Sequence, residues 1–223
     1  MVSAFVPLVL ASASPARRST LARAGVDCYV LASDVDEDLV VAQAHASHGE
    51  LAPEDVALLL ARAKCETVAA RLRDESCPPD APEGALVLGC DSVLELDGEA
   101  HGKPADDAEA TARWLRMRGR SGVLHTGHWL IDDRDDGDGG TGATLGAVAS
   151  TTVHFANISD EEIAAYVATG EPLDVAGAFT IDGLGGPFIA GVEGDHHNVV
   201  GISLPVLREL LAEINLTWFQ LTS

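Results

Sequence analysis

Short apolar runs alternate with longer amphipathic stretches along the chain, and this alternation is typical of an α/β protein. Strand-sized apolar runs predict strands at about 5–11, 28–32, 85–90, 123–131, 146–155 and 188–192. Helical spacing of apolar residues predicts helices at about 15–25, 53–73, 104–117, 159–170 and 204–214. We therefore expect an α/β fold.

Turn and cap residues define several of these boundaries. Pro15 suits the first turn of a helix and Gly25 its end. Ser159-Asp160-Glu161-Glu162 predicts a capping box, and Asp97-Gly98 predicts a tight hairpin turn. The segment 132–142, with the sequence DDRDDGDGGTG, predicts a flexible acidic insertion within a single domain that spans residues 1–223.

The charge balance narrows the range of partners. The 223 residues include 35 acidic and 14 basic residues, which gives a formal net charge of −21. A surface of this sign repels polyanions at long range, so we expect neither a nucleic-acid polymer nor an anionic membrane as a partner. A small anionic ligand stays compatible with the sequence if the few cations converge at one place.

Cysteine usage and the N-terminal sequence bear on the cellular compartment. The four cysteines form no CxxC pair and no zinc-like grouping. The N-terminal sequence has no basic segment followed by an apolar stretch, and no apolar run has the length of a membrane span. We therefore expect a cytoplasmic protein.

The first candidate for chemistry is the segment 10–18, with the sequence LASASPARR. Here Ser12 and Ser14 precede a predicted helix whose first turn carries Arg17 and Arg18. Free backbone N–H groups, hydroxyl donors and guanidinium groups together suit an anion site. The alternative is a capped helix with exposed arginines, and spacing alone favours this alternative.

The two lysines of the chain are further candidates, because the other twelve basic residues are arginines. Lys64 shares a four-residue spacing with Val56, Leu60 and Val68, which places it on the apolar stripe of its predicted helix. A lysine at such a position either extends its ammonium to solvent or points it into a site. The spacing leaves both interpretations open.

Asp91 follows a strongly apolar run in the sequence GCDS at 89–92. Because α/β folds place ligand chemistry at strand ends, Asp91 is a candidate functional carboxylate. Lys103 lies downstream in the sequence GKP, which resembles the end of a phosphate-binding P-loop. Pro104 replaces the Ser or Thr that a P-loop requires, so a nucleotide P-loop is rejected.

Repeated glycines and acidic residues between 170 and 201 predict either a loop that approaches a ligand or a series of turns between strands. His196 and His197 are adjacent in this stretch. On a strand, their side chains would point to opposite faces, so we do not expect a histidine metal site here.

Several of these segments occur in a recognisable order between residues 8 and 211. They are LASASPARRSTL, GCDSVLELDG, HGKP, HTGHWL, GEPLDVAGAF and VEGDHHNVVGISLPVLRELL, together with the acidic Asp36-Glu37 and the helical Lys64. Each segment is weak evidence alone, but the ordered set is specific. The chain resembles the Maf family, the septum-formation-inhibitor-like nucleoside triphosphate pyrophosphatases.

The resemblance implies a mixed sheet with flanking helices and two lobes around a cleft, as in the inosine-triphosphate pyrophosphatases. It implies a homodimer that hydrolyses a nucleoside triphosphate between its α and β phosphates with a divalent cation, Mg²⁺ or Mn²⁺. Asp91 takes the family's proton-acceptor position and Glu37 its acidic loop position, so both are candidate metal ligands. The candidate substrate-binding residues are Ser12, Ser14, Arg17, Arg18, Lys64 and Lys103.

Three positions depart from the family's pattern. The branch that acts on dTTP and UTP has Arg, Thr and Gln where this chain has Ala16, Ser92 and Asp182. We therefore expect these three positions to affect specificity, so that the base preference differs from that of the dTTP and UTP branch. Removal of non-standard nucleotides is one activity that would fit such a difference. The alternative function is a nucleotide-binding regulator of cell division with little turnover; the presence of Asp91 and both lysines argues against it.

Overall fold

The computed structural model describes residues 5–222. Seven strands form one mixed sheet: β1 (Leu8–Leu10), β2 (Cys28–Val30), β3 (Leu86–Leu96), β4 (Glu99–His101), β5 (Ser121–Asp132), β6 (Thr144–Phe155) and β7 (Ile189–Glu193). The helices are α1 (Pro15–Arg23), α2 (Glu37–His48), α3 (Pro53–Leu72), α4 (Asp107–Met117), α5 (Asp160–Val167), α6 (His196–Val200) and α7 (Leu204–Glu213). Within the described range, no helix is apolar over enough of its length to cross a bilayer.

The strand order is β2-β1-β3-β5-β6-β7, with β4 also paired to β3. β1 runs parallel to β2 and β3, and the other pairs are antiparallel. The predicted α/β class and the mixed sheet with flanking helices are therefore confirmed. The predicted hairpin at Asp97-Gly98 and the capping box that begins α5 are also present.

The edge of β3 opposite β5 has a gap in its strand pairing. β1 pairs with β3 as far as Leu88, and β4 begins its pairing at Leu94, while β5 covers the other edge continuously. Asp91 and Ser92 lie at this gap. The expectation that Asp91 ends a strand is wrong: β3 continues to Leu96, and what ends near Asp91 is the pairing with β1.

Helix α3 approaches the sheet closely because two glycines allow it. A Cβ atom at Gly89 would lie 2.2 Å from the carbonyl oxygen of Ala61, and one at Gly127 would lie 2.3 Å from that of Ala57. Any larger residue at either position would push the helix away from the strands. Because Asp91 is two residues after Gly89, it shares the face of β3 that α3 covers.

The other face of the sheet carries two apolar clusters, one at each end of β3. The first includes Leu88 with residues of β1 and α7, and the second includes Leu94 with residues of α4 and α5 around Trp114. Ser92 lies between Leu88 and Leu94 on this face, since side chains alternate along a strand. A polar residue therefore separates the two clusters.

Two helices are absent from the sequence-based prediction, each for a physical reason. α2 has no buried residue, so it shows no apolar stripe; its N-terminal acids indicated only an acidic loop. α6 spans five residues, too few to show helical periodicity, and its histidines were assumed to lie on a strand.

The acidic segment between β5 and β6 is tied to the sheet by a buried ion pair. The side chain of Asp132 is 0% exposed and that of Arg134 is 6% exposed, with Arg134 Nε 2.8 Å from Asp132 Oδ1. Thr141 donates to Asp132 Oδ2 from its backbone N–H at 2.9 Å and from its hydroxyl at 2.8 Å. Arg134 near the start of the segment and Thr141 near its end are thus both held by the Asp132 carboxylate.

A buried histidine fastens the start of α7 to β5. Nε2 of His128 accepts a hydrogen bond from the Ser203 N–H at 2.8 Å, and its Nδ1 lies 3.0 Å from the Thr126 carbonyl oxygen. The backbone N–H can only donate and the carbonyl can only accept, so His128 is neutral with its proton on Nδ1. Burial and, secondarily, the nearby Arg17 guanidinium lower the pKa of His128 to about 4.

This histidine makes stability depend on pH. Between the pKa of about 4 in the folded protein and about 6.5 in the unfolded chain, the unfolded chain binds more protons. Neutral His128 contributes its full stabilisation above the pKa that it has in the unfolded chain. As the pH falls to its pKa in the folded protein, the free energy of unfolding decreases by about 3 kcal/mol. Urea denaturation of the wild type and of His128→Gln across this range should show a steeper pH dependence for the wild type.

The control is His48→Gln, because His48 is exposed at the end of α2. This variant should keep the wild-type pH dependence. Equal slopes for the wild type and His128→Gln would contradict the assigned tautomer and its burial.

Candidate functional site

Lys64, Asp91 and Glu37 form an ion cluster between α3, β3 and the start of α2. The Lys64 ammonium contacts Asp91 Oδ1 and lies 2.7 Å from Glu37 Oε1. The side chains of Lys64 and Asp91 are 12% and 9% exposed. Of the two interpretations of Lys64, the structure therefore agrees with the inward one: its ammonium is enclosed by carboxylates and does not extend to solvent.

The environment of Asp91 alters its acidity. Burial raises the pKa of this carboxyl above its usual range, because desolvation disfavours the charged form. The positive charges of Lys64 and Arg17 oppose this shift, and the negative charge of Glu37 adds to it. A carboxylate whose pKa is raised is a better proton acceptor than an ordinary aspartate, which suits it to general-base chemistry.

Arg17 is buried at the first turn of α1, and three groups from different parts of the chain hold its guanidinium. Nε donates to the Gly201 carbonyl oxygen at 2.7 Å, Nη1 to Ser12 Oγ at 2.9 Å and Nη2 to Ser92 Oγ at 3.1 Å. A guanidinium has five N–H donors, so two remain for a ligand. The alternative of exposed arginines therefore does not apply to Arg17.

Ser12 and Ser14 complete the start of α1. Ser14 is the N-cap residue, and its Oγ accepts from the Arg17 N–H at 3.4 Å. Ser12 Oγ accepts from the Ser14 N–H at 3.3 Å in addition to Arg17, so its own proton is left for another acceptor. Hydroxyls, a buried guanidinium and the positive end of a helix dipole suit a phosphate group.

Arg18, unlike Arg17, is exposed. It lines a cavity of about 340 Å³ together with Ser14 and Val30. Ala16, one of the three positions expected to affect specificity, is half-buried and does not line this cavity. The exposed-arginine interpretation thus describes Arg18, and the anion-site interpretation suits Arg17.

Lys103 lies in the loop after β4, on the far side of the gap from α1. Its side chain is exposed and makes no salt bridge with a residue of the described range. The preceding Gly102 is fixed, because its carbonyl oxygen accepts from Arg113 Nη1 at 2.5 Å and from the Gly177 N–H at 3.0 Å. The structure therefore places Lys103 at the border of the gap, outside the ion cluster around Lys64.

Asp182 is exposed on a loop that folds around Glu171. The Glu171 carboxylate accepts hydrogen bonds from the Thr180 hydroxyl at 2.5 Å, the Leu184 N–H at 2.8 Å and the Gly185 N–H at 2.9 Å. Glu171 had no role of its own in the sequence-based prediction. The glycines of this stretch were the sequence signal for such a loop. A role for Asp182 in base recognition stays a prediction.

Two buried polar residues lie near Arg17: Thr126, which had no predicted role, and Asn198, which belongs to the stretch predicted to approach a ligand or to form turns. Thr126 Oγ1 lies 2.9 Å from Ser92 Oγ and donates to the Asn198 carbonyl oxygen at 3.2 Å. Asn198 Nδ2 donates to the Leu124 carbonyl oxygen at 3.0 Å and to Thr151 Oγ1 at 3.1 Å. Thr126 lies between a histidine and a glycine and Asn198 follows two histidines, so no local signal indicates that these two residues are buried and paired.

The ion cluster has a donor set that fits a hard divalent cation. Asp91 and Glu37 each use one carboxylate oxygen on Lys64, and within residues 5–222 their other oxygens, Oδ2 and Oε2, make no hydrogen bond. Mg²⁺ is commonly bound by one or two carboxylates together with substrate phosphates and waters. These two carboxylates match that preference.

Two other groups of metal-ligating atoms lie elsewhere, one formed by Asp195, His196 and His197 and one by Glu54, Glu95 and His125. The strand assumed for the two histidines was wrong: they begin α6, and their ring centroids are 3.8 Å apart. Asp195 Oδ1 lies 2.9 Å from His197 Nδ1, and Glu95 Oε2 lies 2.8 Å from His125 Nε2. Each group therefore contains a hydrogen bond between a carboxylate and a histidine.

This chain is similar to known proteins over most of its length. A family model described as Maf-like protein matches residues 7–214. A relative from Salinispora tropica, named nucleoside triphosphate pyrophosphatase, is 58% identical over 209 residues, which cover 94% of this chain and 84% of the relative.

Two further relatives with the same name are less similar to this chain. One from Streptomyces avermitilis is 53% identical over 214 residues, covering 96% of this chain and 93% of the relative. One from Trichormus variabilis is 48% identical over 207 residues, covering 93% of each protein. Since the family match includes the α1 segment, the ion cluster and the whole sheet, this chain belongs to the Maf family.

Proposed function

We propose that this chain is a nucleoside triphosphate pyrophosphatase, which hydrolyses a nucleoside triphosphate to the monophosphate and diphosphate. The observation that carries the proposal is the enclosed Lys64 ammonium between Asp91 and Glu37, at a gap in the sheet bordered by the start of α1. The names of the relatives support the same reaction.

The proposed reaction consumes one water molecule. Its oxygen forms a bond to the α phosphorus, and the bond from that phosphorus to the oxygen bridging the α and β phosphates breaks. The bridging oxygen leaves with diphosphate. Asp91 accepts the proton that the attacking water loses, which its raised pKa favours.

The cations of the site neutralise charge that develops on the phosphates. Ser12, Ser14 and Arg17 bind phosphate oxygens at the start of α1, and Lys103 approaches from the other side of the gap. Lys64 holds Asp91 in place and contributes a positive charge beside it. Mg²⁺ or Mn²⁺ would supply further Lewis-acid stabilisation of the same negative charge, with Glu37 as its ligand and with Asp91 either as a second ligand or as the proton acceptor.

The proposal extends to partners and compartment. A net charge of −21 supports a nucleotide as the partner in preference to a nucleic-acid polymer or a membrane surface. The family resemblance supports a homodimer, and the cysteine pattern supports a cytoplasmic location.

Asp91→Asn should lower the rate of diphosphate release by about 10³-fold or more, because the substitution keeps the volume and removes the proton acceptor. The measurement is diphosphate release from a set of nucleoside triphosphates with Mg²⁺ or Mn²⁺. Asp136→Asn, an exposed position in the acidic segment, is the matched control and should retain the wild-type rate. A folded Asp91→Asn protein with near-normal turnover would disprove the assignment of Asp91.

Lys64→Ala should reduce kcat/KM by about 10²-fold, as expected for a group that stabilises transition-state charge. It should also move the acid limb of the pH–rate profile to higher pH, because Lys64 lowers the pKa of Asp91. Arg62→Ala, on the same helix with its side chain paired to Glu66 at the surface, should change neither quantity. An unshifted acid limb in Lys64→Ala would show that the ion pair does not control Asp91.

The base preference should extend beyond dTTP and UTP. Ala16 offers no hydrogen bond, and an ionised Asp182 can only accept, which favours a base with N–H donors such as guanine. The test is a steady-state kinetic comparison of UTP, dTTP, CTP, GTP and 7-methyl-GTP for the wild type and for Asp182→Ala. The control variant is Asp174→Ala, which changes another exposed acid of the same stretch. Exclusive use of UTP and dTTP, unchanged in Asp182→Ala, would refute it.

A further inference from the structure

We propose that Thr126 is a positioning residue, which acts through Ser92 to orient the Arg17 guanidinium for triphosphate binding. The inference rests on the proposed function and concerns a residue to which the family resemblance gives no role. It also reassigns Ser92, expected to affect base specificity, as part of the phosphate-binding apparatus.

The hydrogen bonds between these residues run in one direction only. The Asn198 carbonyl oxygen can only accept, so Thr126 gives it the single hydroxyl proton it has, at 3.2 Å. Ser92 must then donate its own proton to Thr126 Oγ1, 2.9 Å away. The lone pairs of Ser92 are left to accept the N–H of Arg17 Nη2 at 3.1 Å. The order Arg17 to Ser92 to Thr126 to Asn198 is therefore fixed by chemistry.

Thr126 has no contact with solvent and no role in packing that requires a hydroxyl. Its side chain is fully buried, on the sheet face that carries the two apolar clusters. Valine has the same shape as threonine and would bury its surface here without needing a polar partner. The hydroxyl therefore serves two hydrogen bonds, one to Ser92 and one to the Asn198 carbonyl oxygen.

The Ser92–Thr126 pair controls one of three anchors on the guanidinium. The other two, Ser12 Oγ and the Gly201 carbonyl oxygen, hold Nη1 and Nε. Three anchors on three nitrogen atoms define both the position and the plane of the group. Without the Thr126 acceptor, the Ser92 hydroxyl would be free to rotate, and the Nη2 side of Arg17 would lose its fixed direction.

This arrangement also predicts how Ser92 affects different substrates. Its proton points to Thr126 and its lone pair to Arg17, so its hydrogen bonds are directed into the protein. Since phosphates are common to all nucleoside triphosphates, disturbing these hydrogen bonds should weaken the use of every base by the same factor.

The test is a double-mutant cycle between Thr126→Val and Arg17→Ala. Thr126→Val alone should lower kcat/KM about tenfold or more for UTP and GTP alike, since small misplacements of binding groups are costly. Thr126→Ser, which keeps the hydroxyl, should restore most of the loss. In the Arg17→Ala background, Thr126→Val should cause no further loss, because the residue acts through Arg17.

Thr151→Val is the matched control. Thr151 is also buried, and its hydroxyl donates to the Asp195 carbonyl oxygen at 2.9 Å and accepts from the Asn198 side chain at 3.1 Å, so it helps to hold α6 but contacts neither Ser92 nor Arg17. If Thr126 only stabilised α6, both valine variants would lose activity equally and Thr126→Val would still be harmful without Arg17. Either result would overturn the proposal, as would a Ser92→Ala variant that changes the ratio of UTP to GTP use.

The same cycle measured on binding separates this proposal from the proposed function. The affinity of each variant for a triphosphate analogue with a non-hydrolysable α,β bridge can be determined by calorimetry. A wild type that releases no diphosphate would refute the enzyme, while non-additive losses of affinity would still support the positioning role. If Thr126→Val does not fold, Ser92→Ala replaces it in the cycle and tests the same coupling to Arg17.

Discussion

Close contact between α3 and the sheet is the constraint on which the rest of the site depends. Backbone atoms of the helix occupy the space that side chains at Gly89 and Gly127 would fill. This distance allows the Lys64 ammonium to reach the Asp91 carboxylate, two residues from Gly89 on the same face of β3. An alanine at either glycine would push the helix away from the sheet and separate the Lys64 ammonium from the Asp91 carboxylate. Asp91 would then be buried without its cation, which is unfavourable.

The two faces of β3 contribute different parts of the site. Asp91 faces α3 and belongs to the ion cluster, whereas Ser92 faces the opposite side and belongs to the hydrogen-bonded group around Arg17. The second group lies between two apolar clusters, where unpaired polar atoms would be costly. Its members are hydrogen-bonded to one another across β3, β5 and α6, so the polar residues proposed to bind substrate also connect the two halves of the core.

Much of the fold could be predicted because its elements carry strong patterns. α3 carries buried apolar residues along most of its length, and β5 and β6 are rich in apolar and β-branched residues. The extent of β3 was missed because Asp91 and Ser92 interrupt its apolar pattern, and the interruption marks the gap in pairing with β1. α2 was missed because none of its side chains is buried.

The individual residues of the site were easier to predict than their contacts. Lys64 and Asp91 are unusual in their local sequence, and each was identified separately. Thr126 was not, because its partners Ser92 and Asn198 are 34 and 72 residues away and nothing in the local pattern indicates them. A hydrogen bond between distant segments is a property of the fold, and a single sequence carries no record of it.

The gap along β3 has a mechanical consequence. From Leu88 to Leu94 the strand is supported on one edge only, so the parts of the molecule that carry α1 and Lys103 are joined there through β3 and β5. The distance across this open edge is therefore set by the twist of β3 and β5. A triphosphate held by Ser14 on one side and Lys103 on the other would link the two sides across the gap, where no strand within residues 5–222 does so.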